Sequence, residues 1–322
     1  MLPRIAPEFF VDPTYQDFLR DLTLSVFSGD IHSDYAARLS VAVDNSIYQV
    51  IPQAVIFPRD TNDIAVILKL ASYEKYKNTI QFCARGGGTS TNGQSLTAGI
   101  IIDCSRYMRQ ILELNLEQMW VKVQPGVILD QLNDYLRPYG VSFAPEISPS
   151  NRATIGGMVN TDACGTGSRI LGRTCDHVLD LTCVLNNGSI IHSADLSETK
   201  LGQQIKTLLE THSHLINEKF TNAPRTLNGY NLKKSLIDLT YLFCGSEGTL
   251  AVIGECKLKL TVLPKFKKLL IVKYRNFDDA LRAVDITADV NPFAIEAIDE
   301  KLVMLARTDS CLLYTSPSPR DS

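Results

Sequence analysis

The sequence lacks several features by which common classes of protein are recognised. No stretch approaches the roughly 18 uninterrupted apolar residues of a transmembrane helix, and the first residues, MLPRIAPEFFVDP, contain acidic residues and prolines instead of a signal-peptide apolar region. Lys and Arg do not outnumber Asp and Glu, since the formal net charge is -3, so no nucleic-acid or anionic-membrane partner is indicated. We therefore expect a cytoplasmic protein without a membrane span.

Signatures of metal sites and disulfides are missing as well. None of the eight cysteines forms a CxxC pair, and several, such as Cys104 and Cys183, lie within apolar runs. The five histidines do not cluster, because His212 and His214 are two residues apart and would point to different faces of a helix. We interpret the cysteines as buried thiols in a reducing compartment and predict no metal site.

What the chain does have is an ordinary globular composition. Its 322 residues are 45% hydrophobic and 21% charged, which allows two domains of about 100 to 200 residues each. The apolar spacing predicts an accessory helical segment over residues 1–45, a strand within 47–57, a helix with Thr61 as its N-cap, and a strand over 79–83. Residues 47–102 are therefore predicted to form one compact α/β unit.

A second α/β unit is predicted after residue 111. Residues 120–123 alternate like a half-buried strand, and leucines at helical spacing follow at 129, 132 and 136. Two β-branched runs, 178–185 and 189–192, flank Asn187 and Gly188, which is the pattern of a hairpin. Two further strands are predicted within residues 251–262.

The remaining part of the sequence predicts the opening of another domain and then changes character. A strand is expected over residues 268–273 and a helix over 277–288. Residues 311–322 resemble the translation of a common sequencing adapter, for which a disordered Ser/Pro tail is the alternative. We favour the adapter, and therefore expect that the natural chain continues past Ser310.

The most informative stretch is RGGGTSTNGQ, at residues 85–94, directly after a predicted strand. Adjacent glycines let successive backbone N–H groups turn toward one point, and the Thr and Ser hydroxyls add further donors for an anion. An exposed Gly/Ser/Thr turn is the alternative, but the preceding strand, Arg85 and the run of donors favour anion binding. The spacing matches neither a Rossmann fingerprint nor a Walker loop.

Two further glycine-containing segments share this character. Residues 145–151 form a polar loop punctuated by prolines, and they lead into TIGGMVNTD at 154–162. Gly156 and Gly157 lie among apolar residues that must pack, so the backbone is expected to wrap closely around a ligand. The third segment, GSEGTL at 245–250, precedes the predicted strands of residues 251–262.

Taken together, these motifs resemble those of a known flavoprotein family in order and spacing. They are similar to the FAD-binding domain of PCMH-type flavoproteins, the vanillyl-alcohol-oxidase superfamily, and most similar to its long bacterial FAD- and iron-sulfur-containing D-2-hydroxyglutarate and D-lactate dehydrogenases. The resemblance covers about residues 1 to 310 and rests on residues 44–49, 85–89, 105–108, 125–127, 150–162 and 245–250.

The resemblance implies an α+β fold in which FAD lies between two α/β subdomains. The implied domains are an N-terminal helical segment at 1–45, an FAD-binding domain at 46–265 with subdomains of about 46–108 and 109–265, and the start of a substrate or cap domain at 266–310. The implied cofactor-binding residues are Arg85, Gly86, Gly87, Gly88, Thr89, Ser90, Thr91, Asn92, Pro145, Ser150, Thr154, Gly156, Gly157, Asn160, Thr161, Asp162, Glu247, Gly248 and Ile253.

The resemblance also implies a chemistry. A small 2-hydroxy acid would be oxidised by hydride transfer to FAD, with an electron-transfer partner to take the electrons away. The FAD would be noncovalent, because Arg85 and glycines stand where some relatives attach flavin through a histidine. The catalytic residues would lie in the cap domain beyond Ser310, and any iron-sulfur clusters further still. The alternatives are another oxidase or reductase of this superfamily, or a noncatalytic FAD-binding fragment.

Overall fold

The computed structural model describes residues 10–220 and 229–309. The chain divides into two compact units, Met1–Gly165 with Gly172–Leu263, and Thr166–Leu171 with Pro264–Ser322. The predicted domain limits stay predictions, and the tail predicted at 311–322 lies outside the described residues. The described strands are β1 Asp30–His32, β2 Ala54–Phe57, β3 Phe82–Arg85, β4 Ile100–Asp103, β5 Ile111–Asn115, β6 Trp120–Val123, β7 Val141–Ser142, β8 Val178–Val184, β9 Ile190–His192, β10 Val252–Lys259 and β11 Thr261–Val262.

Short helices connect these strands in the first unit and make up the regular structure of the second. The described helices are α1 Pro13–Thr23, α2 Tyr35–Ser40, α3 Thr61–Ala71, α4 Leu129–Leu136, α5 Ile155–Asn160, α6 Ser168–Leu171, α7 Lys200–Thr211, α8 Ser213–Lys219, α9 Leu232–Ser235, α10 Thr240–Phe243, α11 Phe277–Arg282, α12 Val284–Asp289 and α13 Glu300–Thr308. Helices α6 and α11 to α13 belong to the second unit.

The first sheet has the strand order β1-β2-β4-β3. Strands β2 and β3 both run parallel to β4, whereas β1 is antiparallel to β2. Ile100, Ile101 and Ile102 of β4 are fully buried, as expected for a parallel strand that is covered on both faces. The carboxyl ends of β2, β3 and β4 therefore meet at one edge of the sheet, and the predicted glycine loop leaves β3 at that edge.

The amino-terminal part of the first unit is less helical than predicted. Helices α1 and α2 are present, but between them β1 joins the first sheet, with Ile31 opposite Ile56. The strand predicted within residues 47–57 comprises only Ala54–Phe57. Ile47 is 94% exposed, because its β-branched side chain lies in an irregular loop that has no sheet to pack against.

Helix α3 packs one apolar face into the first core through residues such as Ile64 and Ile67, at the predicted helical spacing. The predicted N-cap was wrong by one residue. Asp60 caps the helix by accepting a hydrogen bond from the Asp63 N–H at 3.0 Å, and Thr61 is the first helical residue. A carboxylate is a strong N-cap, and here it comes one position earlier than the hydroxyl.

The second sheet is antiparallel, with the order β5-β6-β10-β8-β9. The predicted hairpin is confirmed, since β8 and β9 pair around Gly188, whose φ of 81° is left-handed. The strands predicted within residues 251–262 are confirmed as β10 and β11. Helix α4 buries its predicted leucines, at 129, 132 and 136, in the core beneath this sheet.

Helix α3 lies unusually close to β10. A Cβ built on Gly254 would lie 2.4 Å from Thr61 Oγ1, so only glycine allows this approach. Val184 of β8 and Val252 of β10 pack into the apolar core of the first sheet. The two sheets therefore share apolar packing and belong to one unit.

The second unit is small and largely exposed. Arg169 of α6 donates hydrogen bonds to Asn291 Oδ1 at 3.0 Å and to the Pro292 carbonyl at 3.1 Å, and Gly167 packs against the Phe293 ring. The strand predicted over residues 268–273 is wrong, because this segment has no neighbouring strand with which to pair. The helix predicted over 277–288 is divided into α11 and α12.

Candidate cofactor site

A cavity of about 390 Å³ lies in the first unit at the carboxyl ends of β3 and β4. This volume is within the range of about 300 to 1,000 Å³ that is typical of small-molecule sites. Three chain segments line the cavity: the loop after β3, the stretch that contains α5, and the segment that enters β10. The predicted site residues among its lining are Arg85, Gly86, Gly87, Gly88, Thr89, Ser90, Thr91, Thr154, Gly156, Gly157, Asn160, Thr161, Glu247, Gly248 and Ile253.

Four predicted site residues are not part of this lining. Asn92 turns its N–H toward Gln94 Oε1 at 3.1 Å, and Pro145 is buried. The Ser150 carbonyl accepts the Asp130 N–H in the first turn of α4. Asp162 is buried next to Arg173, and it accepts the Cys175 N–H at 2.8 Å. These residues shape the surrounding loops, and Asp162 belongs to a separate buried ion pair.

The cavity also has a lining that the predicted site residues did not include. Most of these residues are apolar or small and lie within or beside the recognised motifs, so their proximity to the predicted site residues was the only signal in the sequence. They are Ala84, Gln94, Ser95, Cys104, Pro125, Ile147, Ser148, Pro149, Ala153, Met158, Ala163 and Cys164. Cys104 and Pro125 lie outside the three motif segments and reach the cavity because β4 and β6 end there.

The loop after β3 presents a row of unused hydrogen-bond donors. Within the described residues, the backbone N–H groups of residues 86–91 donate no hydrogen bond to protein acceptors. Among the described residues, the hydroxyls of Thr89, Ser90 and Thr91 also form no hydrogen bond to a protein atom. Consecutive free N–H groups in a glycine loop form a concave anion site, so this lining fits a group such as the pyrophosphate of a dinucleotide.

Two positions of this loop require glycine because neighbouring protein atoms leave no room for a Cβ. A Cβ on Gly86 would lie 2.0 Å from Thr154 Oγ1, and one on Gly87 would lie 2.1 Å from the Arg152 carbonyl oxygen. The loop after β3 therefore packs directly on the segment that enters α5. Thr154 is also the N-cap of α5, since its hydroxyl accepts the Gly157 N–H at 3.4 Å.

Asn160 joins the second cavity segment to the third. Its Nδ2 donates to the Gly156 carbonyl at 3.0 Å, and its Oδ1 accepts the Gly248 N–H at 3.0 Å. The Glu247 N–H donates to the Asn160 carbonyl at 2.9 Å. Glu247 has a left-handed φ of 52°, which this side-chain and backbone clamp holds in place. The three motifs that are distant in sequence therefore form one continuous wall.

The Cys104 thiol, which also lines the cavity, is not set up as a nucleophile. Burial raises the pKa of Cys104 to about 12, and the neighbouring Asp103 adds to the shift. Burial also raises the pKa of the Asp103 carboxyl, against the effect of the bonds from Ser105. The protonated Cys104 thiol adds an apolar surface to the cavity lining.

The described residues contain neither a metal-binding cluster nor a membrane-spanning helix. Across residues 10–220 and 229–309, no cluster of three or more His, Cys, Asp or Glu side chains is placed to hold a metal ion. No helix in the same ranges is both long and apolar enough to cross a bilayer.

Residues 52–194 match the model of a family described as FAD binding domain. The chain is 45% identical to the D-2-hydroxyglutarate dehydrogenases of Pantoea ananatis and Escherichia coli, with 96% of this chain and 32% of each relative covered. It is 32% identical to the glycolate oxidase subunit GlcD of Bacillus subtilis, over 84% of this chain and 50% of that relative. The chain therefore spans about a third of the length of the dehydrogenases it matches.

A solved alkyldihydroxyacetonephosphate synthase has the same fold. The TM-score is 0.63 at 20% sequence identity, and the match covers 91% of this chain and 50% of the synthase. The fold, the match to the family model and the cradle of free N–H groups agree with one another. The α+β fold predicted from the sequence is confirmed, and residues 52–194 match an FAD binding domain.

Proposed function

We propose that this chain is the FAD-binding part of an FAD-dependent dehydrogenase that oxidises a D-2-hydroxy acid, D-2-hydroxyglutarate or D-lactate. The observation that carries the FAD part is the row of free N–H groups at residues 86–91 in a cavity built from the three motifs. The substrate class is supported by the names of the relatives, several of which are D-2-hydroxyglutarate or D-lactate dehydrogenases.

In this proposal different parts of the cavity lining have different roles. The N–H groups of residues 86–91 and the adjacent hydroxyls bind the pyrophosphate, whose oxygens accept several hydrogen bonds. Ile253, Met158 and Cys104 supply apolar lining that excludes water around the bound group. When bound, FAD supplies the hydride acceptor for the α-hydrogen of the substrate.

We place the general base and the substrate-binding residues outside this chain, in the remaining length of the full protein. The ionisable side chains that line the cavity in the described residues are Arg85, Cys104, Cys164 and Glu247, and no histidine is among them. We also propose that the FAD is noncovalent, because Arg85 and glycines stand where some relatives attach flavin through a histidine. Any iron-sulfur clusters and the site for an electron-transfer partner would belong to the same missing length.

A cytoplasmic location is part of the same proposal. The described cysteines, from Cys83 to Cys256, are all free thiols, which a reducing compartment maintains.

The first prediction is that the purified chain retains FAD. We expect a yellow protein whose flavin absorbance survives mild dialysis and is released on denaturation, because many backbone donors hold one anionic group. The measurement is the visible spectrum before and after dialysis, followed by the spectrum of the supernatant after heat denaturation. A colourless, well-folded protein that takes up no added FAD would exclude the proposal.

The substrate is tested in the full-length protein under anaerobic conditions. Bleaching of the flavin by D-2-hydroxyglutarate or D-lactate, but not by NADPH, is expected for a hydroxy-acid dehydrogenase. Bleaching by NADPH alone would indicate a reductase of the same superfamily, and binding without reduction by any of these compounds would indicate a noncatalytic FAD-binding protein.

A further inference from the structure

Arg85 ends β3 and precedes the glycine loop, but its guanidinium is occupied by its own chain. Nη2 donates to the Val43 carbonyl at 2.8 Å, and Nη1 donates to the Val41 carbonyl at 3.3 Å. Nη1 also lies 3.2 Å from Ser95 Oγ and 3.4 Å from the Ser95 carbonyl oxygen. Such contacts fix the plane of a guanidinium, because its donors are arranged as a rigid fork.

These acceptors lie at the far end of the glycine loop and on a separate segment, whereas Arg85 itself begins the loop. Arg85 and Ser95 bracket residues 86–94, so their contact closes the loop at its base. Ser95 Oγ donates in turn to Asp44 Oδ2 at 3.1 Å, next to the carbonyls of residues 41 and 43. One side chain therefore ties the start of the loop, its end and the segment 41–44 together.

The conformation of the glycine loop fits the position of the Arg85 guanidinium. Gly88 has a left-handed φ of 62°, and a Cβ there would lie 2.5 Å from Arg85 Nη2, so the guanidinium occupies the space that a side chain would need. The Gly88 carbonyl accepts the Asn45 N–H at 3.1 Å, which adds a second link between the loop and the same segment. The free N–H groups of residues 86–91 start immediately after the clamped residue.

An arginine next to an anion site has one of two roles. Either its charge pairs with the phosphates, or its hydrogen bonds fix the conformation of the loop. The bonds to backbone carbonyls and to Ser95 favour the second, because each aims an Nη hydrogen at the protein. Burial lowers the pKa of this guanidinium, and the nearby carboxylates of Asp103 and Asp44 act in the opposite direction.

We propose that Arg85 is a positioning residue, which holds the glycine loop in the form that presents its N–H groups to the cavity and which does not act by charge pairing with the cofactor. This inference rests on the proposed FAD site for its functional meaning. The structural part of the inference is that the Arg85 guanidinium orders residues 86–94 and the segment 41–45. This part does not depend on the cofactor.

The test compares Arg85→Lys, which keeps the charge and loses the fork, with Arg85→Gln, which loses both. Both variants are expected to weaken FAD rebinding to the apoprotein by about tenfold, which corresponds to about 1.4 kcal/mol of lost preorganisation. The loss should be the same at low and high ionic strength. The measurement is titration of FAD by quenching of its fluorescence, with exposed Arg109→Lys as the matched control.

The same titration can contradict the proposal in two ways. If Arg85→Lys binds FAD like the wild type while Arg85→Gln does not, and if added salt removes the difference, then charge pairing is the role and the proposal is wrong. The proposal is also wrong if both variants bind like the wild type.

Hydrogen exchange of the ligand-free protein provides a second test that does not need FAD. In Arg85→Lys the Asn45 N–H should exchange faster than in the wild type, because its acceptor on Gly88 is no longer held, whereas Arg109→Lys should leave it unchanged. Ser95→Ala, a milder change, should act in the same direction if Arg85→Lys fails to fold. An unchanged rate at Asn45 would overturn the inference, and a wild type that binds no FAD would overturn only the proposed function.

Discussion

Asp162→Ala is expected to lower the free energy of unfolding by about 3 to 5 kcal/mol, the usual cost of removing one partner of a buried ion pair. The Asp162 side chain is fully buried and the Arg173 side chain is only 9% exposed, with Arg173 Nη1 3.3 Å from Asp162 Oδ2. Asp162 Oδ1 also accepts the Cys175 N–H, so alanine removes the acceptor of a buried backbone donor as well. The measurement is equilibrium unfolding in urea.

Asp134→Ala is the matched control for this prediction. Asp134 pairs with Arg137 at 2.8 Å, but both side chains are more than 60% exposed, at 63% and 69%. An exposed pair of this kind contributes about 0 to 1 kcal/mol, so the control should unfold almost like the wild type. Equal and small losses in the two variants would show that the Asp162 pair does not hold this part of the fold.

Gly87→Ala is expected to abolish the retention of FAD through dialysis while the protein still folds. The added methyl group would lie 2.1 Å from the Arg152 carbonyl oxygen, so the loop after β3 must move away from the segment that enters α5. Overpacking of this kind costs about 1 to 3 kcal/mol, which corresponds to a roughly 5- to 150-fold weaker affinity if the bound form bears the cost. Fluorescence titration with FAD measures the loss.

Gly140→Ala controls for the general effect of adding a methyl group to a glycine. Gly140 has a φ of 71°, and no atom lies within 4 Å of the position of its Cβ. Alanine is therefore strained there, by about 1 to 2 kcal/mol, but pushes on nothing near the cavity. The control should be less stable and should bind FAD normally. If both glycine variants lose FAD to the same extent, the close approach of the two loops is not the cause.

The sequence was most informative where local chemistry decides the structure. Glycines, hydroxyls and their spacing located the three segments that form the cavity, and the turn at Gly188 located the hairpin. These features depend on the backbone freedom of single residues, and the residue type at each position indicates that freedom directly. The antiparallel pairing of β8 and β10, by contrast, was hidden, because about 70 residues separate the strands.

The errors arose where a distant partner decides the outcome. The assignment of Asp162 to the cofactor stays a prediction; its side chain lies outside the cavity lining and pairs with Arg173, a partner that no local pattern in the sequence reveals. The segment 268–273 has the composition of a strand, yet it forms none because a strand requires a neighbour. The role of Arg85 depends on carbonyls more than 40 residues earlier, at Val41 and Val43.

The path of the chain has a practical consequence for attempts to isolate the flavin domain. The chain passes between its two units after Gly165, after Leu171 and after Leu263. Truncation at Leu263 would therefore leave residues 166–171 attached to the first unit while removing the Asn291, Pro292 and Phe293 groups that they contact. A minimal domain needs a second operation, the replacement of residues 166–171 by a short polar linker between Gly165 and Gly172.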